Sequence, residues 1–174
     1  LTRLQLERRD YQTARRTASD ALTAARRAAD EGLETQALAL LGAAHGHSVN
    51  GEADEASRLL AQCVTRLETL TNPDGRWPVR LEAMHDAQRR GETEEALGHA
   101  REVARLLQQL VDAVPARYQA SFRAQRRRWR GWLAAQAVLA GADGAAGGAT
   151  HDERWTRVLE VARRLSSEHH VQRL

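Results

Sequence analysis

The side chains with chemistry to offer are seven histidines, a single cysteine and 23 acids, and their spacing points away from catalysis. His45 and His47 are two residues apart, about 200° around a helix, so they cannot readily chelate one metal ion. His169 and His170 form a neighbouring pair near the chain end and read as solvated side chains. Cys63 lies in a row of small apolar residues, with no local feature to activate its thiolate, and reads as packing. Asp54-Glu55 and Glu94-Glu95 fall in the first turns of helices, where negative charge favours the helix dipole. The glycines of ADGAAGGAT, from Ala142 to Thr150, are not a phosphate loop, because no strand precedes them and no Gly-Lys-Ser/Thr follows. No Ser-His-Asp or Cys-His arrangement emerges. The expectation is therefore no catalytic residue, no metal ligand and no cofactor, with any enzymatic activity residing in flanking sequence.

The elements that carry these residues are expected to be helices throughout. Only 4% of the 174 residues are aromatic, and Ala and Leu, strong helix formers, dominate the apolar content. No stretch alternates apolar and polar residues with β-branched enrichment, so no strand is expected. The 26 basic residues are all Arg, a codon-bias signature of a GC-rich bacterial source. One cysteine permits no intramolecular disulfide and fits a reducing cytoplasm. There is no signal peptide and no run of about 18 apolar residues of the kind that spans a membrane. The abrupt opening in helical pattern, LTRLQLERRDY, suggests a fragment of a longer protein.

An internal repeat organises the chain. RRDYQTARRTASDALTAA from Arg8, NGEADEASRLLAQCVTRL from Asn50 and RGETEEALGHAREVARLL from Arg90 align at spacings of 42 and 40. Each begins with a turn signal (Arg9-Asp10, Gly51-Glu52, Gly91-Glu92) and continues into a long helix. Its inner stripe is Ala14, Ala18 and Ala21 in the first unit, Ala56, Leu60 and Cys63 in the second, and Ala96, Ala100 and Val103 in the third. Upstream of each turn lies a further helical segment: Leu1 to Arg8, Leu33 to Val49, and Trp77 to Arg90. Gly32 is expected to close a helix, and Asn72 to Gly75 to form a loop ahead of a helix with Pro78 in its first turn. A period near 40 built from helix hairpins marks a helical solenoid, in which each unit buries its apolar face on its neighbours.

These residues resemble the tetratricopeptide repeat family over residues 1 to about 113. The G-[DE]-x-x-x-A turn and the stripe after it match in the second and third units, with Arg9 replacing the glycine in the first. Leu40, Ala43, Ala44 and His47, and then Arg80, Ala83, Met84 and Ala87, stand where the family prefers Trp, Leu, Gly and Tyr. The resemblance implies an all-α solenoid of about three antiparallel helix hairpins with a concave groove lined by the first helix of each pair. Carried over by register, Leu41, His45, Ser48 and Val49 would face that groove in the second unit, and Leu81, His85, Gln88 and Arg89 in the third. A protein or peptide partner, or another domain of the same chain, would dock there.

From Pro115 the pattern changes. Residues 116–140 hold six arginines and no acid, and are expected to form one basic capping helix closing a repeat domain of residues 1–140. Phe122, Trp129, Trp132, Leu133 and Leu139 lie on one side of it, beside a stripe of Arg123, Arg127 and Arg130. That stripe reads first as a solvated face, next as a contact for an acidic protein surface, and last as a nucleic-acid contact whose affinity would fall steeply with salt. Residues 141–151 read as a flexible linker. Residues 152–174 read as a last helix with Trp155, Val158, Leu159, Ala162 and Leu165 on one stripe, able to fold back or to pair in a homodimer. ERWTRVLEVARRLSSEHHVQRL and VPARYQASF also resemble the segments around the repeat region of large bacterial signalling proteins, ahead of a GAF-type sensor domain. Those proteins include serine/threonine kinases and enhancer-binding transcriptional activators. This implies an interaction or scaffold module of a signalling or transcription-regulatory protein.

Overall fold

Three of the helix junctions are closed by one backbone device. In the computed structural model, which describes residues 1–47, 53–70 and 72–146, helix α1 (Thr2–Glu7) ends as Arg9 turns to φ +61° and the Asp10 N–H donates to the Gln5 carbonyl. Helix α2 (Tyr11–Arg27) ends the same way, with Ala29 at φ +52° and the Asp30 N–H on the Ala25 carbonyl. After α5 (Pro73–Arg90), Gly91 turns to φ +77° and the Glu92 N–H reaches the Ala87 carbonyl. These are Schellman ends, in which one left-handed residue satisfies carbonyls that the helix leaves open. Asp10 and Asp30 then cap the next helix at once, accepting from the Thr13 and Leu33 N–H groups. The left-handed residue before α3 (Glu31–Gly46) is thus Ala29, and Gly32, expected to close a helix, lies in the first turn of α3 because Asp30 starts that helix ahead of it. Likewise α5 begins at Pro73, capped by the Asn72 side chain on the Asp74 N–H, so the expected loop is helical and Pro78 lies inside the helix.

Such short connections fold successive helices back on each other. Helices α1 and α2, α3 and α4 (Ala53–Arg66), and α5 and α6 (Thr93–Asp112) pack as pairs, and each pair packs on the next through α2 with α3 and α4 with α5. Helix α8 (Arg126–Ala146) packs mainly on α6 and touches α5, and α1, α3 and α5 contact one another in series. The described residues form eight helices and no strand, in agreement with the all-α expectation.

Small residues set how closely the helices approach. Ala14, Ala18, Ala56, Leu60, Cys63, Ala96, Ala100 and Val103 are all buried, as the repeat implied, whereas Ala21 is exposed and Leu22 takes the inner position. A Cβ on Gly42 would lie 3.1 Å from Leu60 Cγ and 3.3 Å from the Ala56 carbonyl, which marks the tightest point of the α3–α4 pair. A Cβ on Gly131 would lie 2.7 Å from Cζ3 of Trp77, a fully buried ring. Gly131 therefore lets α8 rest directly against α5. Trp77, Met84, Val103, Leu106 and Ala135 form one core here, and Leu38, Leu60, Cys63, Leu67 and Val79 another between α3, α4 and α5.

The expected basic helix over 116–140 is two helices. Helix α7 (Ala116–Arg123) ends at Ala124, and α8 begins at Arg126. A continuous helix would have stacked Arg123, Arg127 and Arg130 at i, i+4 and i+7 with no acid between them, a repulsive arrangement. The break removes Arg123 from that stripe. Gly141–Ala146, expected at the head of the linker, complete α8, in keeping with the helix propensity of alanine. Residues 147–174, with the rest of the linker and the last helix, lie outside the described residues.

Two stability predictions follow from these backbone features. Ala29→Gly relieves a left-handed L-residue and should raise unfolding stability by about 1 kcal/mol, read as a higher urea midpoint at unchanged slope. Gly131→Ala drives a methyl into the Trp77 ring and should cost about 1–3 kcal/mol in the same assay.

Candidate functional site

A concave face is the principal candidate. Helices α1, α5 and α8, with His47 at the end of α3, line a cavity of about 630 Å³ whose walls include Leu4, Leu6, Leu81, His85 and Ala134. A second hollow of about 360 Å³ continues it between α1, α3 and α5, past Gln36, Ala39, Leu40 and Pro78. Arg3, Glu82 and Arg127 border both hollows.

Charge in the groove is organised around Glu82. This carboxylate is 8% exposed and accepts from the Arg3 guanidinium of α1, with His85 Nδ1 3.8 Å away on its other side. Burial alone would raise its pKa, but Arg3, then His85 and Arg89, outweigh that and hold Glu82 below the usual carboxylate range. Farther along, Arg130 of α8 donates to Glu7 of α1. Helix α1 is thus tied across the groove to α5 and to α8. His47 stacks on Tyr11 with ring centroids 5.0 Å apart and planes within 7°. Burial, then the nearby Arg89, push the His47 pKa down, so its imidazole is neutral near pH 7.

The expected groove residues divide. Leu81 and His85 line the larger cavity. Gln88 faces the far end of α8, beside Ala137 and Val138. Arg89 donates to Asp86 and lies over Gly46. Leu41 packs against the core between α3 and α4, and His45 acts electrostatically on Glu55 of α4. Ser48 and Val49 lie outside the described residues. A difference of register explains the division. Helices α3 and α5 begin 42 residues apart while α4 and α6 begin 40 apart, and the lining pairs Gln36 with Pro78, Ala39 with Leu81 and Leu40 with Glu82 keep the spacing of 42. Ala43, not His45, therefore corresponds to His85. Two residues turn a helix by about 200°, enough to move Leu41 and His45 to the other side of α3.

The basic stripe divides as well. Arg127 and Arg130 face the groove. Arg123 borders a separate apolar hollow of about 200 Å³ with Leu107, Phe122, Trp129 and Trp132. Arg128 closes that hollow, its guanidinium 3.9 Å from the Phe122 ring centre, and donates to Asp74 at 3.2 Å.

Cys63, His99 and Asp86 do not line this face. Cys63 is buried away from it, its S–H donating to the Thr35 carbonyl, and burial pushes its pKa up to about 12. His99 is buried with Nδ1 3.3 Å from Arg80, and burial followed by that cation lower its pKa. Asp86 holds Ser57, Arg89 and Arg90 in one buried network joining α4 to α5. Among the described residues no three His, Cys, Asp or Glu side chains are placed to hold a metal ion, and no described helix is long and apolar enough to cross a membrane. Arg3 and Glu7 had no signal in the repeat pattern. Glu82 falls opposite Leu40 only at the spacing of 42, and the spacing of 40 used for the turns places Arg80 there instead.

Comparison with family models, with curated proteins and with solved structures finds no match for this chain.

Glu82 gives a pH prediction. Its pKa is lower folded than unfolded, so its stabilisation is complete above the unfolded value of about 4.3 and is lost as pH falls through the folded value. Glu82→Gln should therefore be less stable than the parent by about 1–3 kcal/mol at pH 7, and the difference should shrink below about pH 4. An equal difference at both pH values would contradict the pairing.

Proposed function

We propose that this chain is a tetratricopeptide-like interaction module that takes an extended peptide, or a segment of another domain of its own protein, into the groove between α1, α3, α5 and α8. The observation that carries this reading is the groove itself: apolar patches from Leu4, Leu6, Leu81 and Ala134 beside polar groups from His47, His85 and Arg127. Such a surface offers anchoring pockets and hydrogen bonds together, as recognition of an extended chain requires. The hairpin order, the left-handed turns at Arg9 and Gly91 of the first and third units and the repeat spacing of 40 to 42 support the family likeness, the turn at Gly51 and Glu52 lying outside the described residues. The likeness of the chain's last segments to the repeat regions of bacterial signalling proteins supports a scaffold role in signalling or transcription regulation.

A nucleic-acid role draws less support, because Arg128 and Arg130 of α8 are engaged within the chain. Arg130 is paired with Glu7, Arg128 with Asp74, and Arg127 stacks over Trp77 at 5.2 Å. On the groove this leaves Arg127 as a single cation without a carboxylate, a small charge on which to release the counterions of a phosphate backbone.

A display selection of random twelve-residue peptides against the chain tests the proposal. Binders should lose affinity at least about tenfold when His85→Trp fills the groove, the loss of one good contact set, while the far-ultraviolet spectrum and melting temperature stay at parent values. Binders that are indifferent to His85→Trp would contradict it.

A further inference from the structure

The cations and anions on the concave face do not balance, and the excess is localised. Three guanidinium groups, Arg3, Arg127 and Arg130, face it with two carboxylates, Glu7 and Glu82. Glu82 is taken by Arg3 and Glu7 by Arg130. Arg127 is left without a carboxylate within 4 Å among the described residues. The acids that act on it from a distance are Asp74 and Glu82, and both are already held, by Arg128 and Arg3. Its guanidinium lies over the face of Trp77, which orients it and, among the described residues, leaves its N–H donors for an incoming acceptor.

Position gives this group its significance. Arg127 borders both hollows of the groove, at the place where they meet, so a chain lying along the face must pass it. Arg127 is exposed on this face, so an incoming group can reach its guanidinium. A carboxylate brought to it gains a charge-assisted, bidentate hydrogen bond. Apolar surface lies on one side of it, at Leu4, Leu6 and Ala134, and on the other, at Leu40.

We propose that the groove selects extended peptides carrying an acidic side chain between apolar ones, with Arg127 as the residue that receives the carboxylate. This rests on the groove reading above and adds the chemical class of the occupant. Arg123 provides the internal control. It belongs to the same basic cluster but borders the hollow of Phe122 and Trp129, outside the groove.

Fluorescence anisotropy with three labelled ten-residue peptides of Ser and Leu tests the idea, the central pair being Glu-Glu, Gln-Gln or Lys-Lys. The Glu peptide should bind at least about tenfold more tightly than the other two, the scale of one charge-assisted hydrogen-bonded pair. Arg127→Gln should remove that preference, Arg127→Lys should keep part of it, and Arg123→Gln should leave it unchanged, with circular dichroism showing all three variants folded. Equal loss in Arg123→Gln and Arg127→Gln would overturn the proposal in favour of diffuse attraction to a basic surface. Equal binding of the three peptides, still blocked by His85→Trp, would overturn the acidic preference and leave the peptide groove standing. Groove-dependent binders from the display selection that lack acids would do the same. If neither approach yields a groove-dependent binder, both readings fall together.

Discussion

How near α8 can come to α5 decides whether this chain has a groove at all. The approach is set where Gly131 lies against the buried Trp77 ring, with no room for a β-carbon. That contact fixes the rotation of α8, and the rotation places Arg127 and Arg130 on the concave side while Trp132, Ala135, Val138 and Leu139 turn toward the core. The Trp77 ring also orients Arg127 from beneath. A side chain at 131 would lift α8, part Arg130 from Glu7 and open the face between the first and last described helices. In a close-packed interior a displacement of this size has no cheap accommodation.

The same economy runs through the rest of the molecule. With few aromatic side chains, the helices gain contact by approaching closely, at Gly42 against Ala56 and along the alanines of α2 and α6. Close approach requires short, well-defined turns, and the left-handed residues at Arg9, Ala29 and Gly91 supply them. Only Gly91 adopts that backbone without strain. The chain tolerates Arg9 and Ala29 there because Asp10 and Asp30 follow immediately as helix caps.

This pattern of local and distant constraints explains what could be read from the residues alone. Turns, helix pairs and the buried alanine stripes depend on interactions within a few residues, so Arg9-Asp10, Gly91-Glu92, Ala56 and Ala96 were legible. The register of α3 was not, because α3 and α5 begin 42 residues apart while α4 and α6 begin 40 apart, and an alignment on the turns shifts the first helix by that difference. Nor were the ion pairs of the groove legible. Glu7 with Arg130 and Arg3 with Glu82 are separated by 123 and 79 positions, and no local rule links them. The basic helix was legible as a cluster of charge, whereas its division at Ala124 and the separate fates of Arg123 and Arg127 depend on what each arginine meets in space.

The seat of α8 on Trp77 is open to one direct measurement. In a nuclear Overhauser experiment on labelled protein, the α-protons of Gly131 should show strong cross-peaks to the six-membered ring of Trp77 and resonate upfield through its ring current. Gly131 α-protons at ordinary glycine shifts, with cross-peaks confined to their own helix, would contradict the seating and with it the groove.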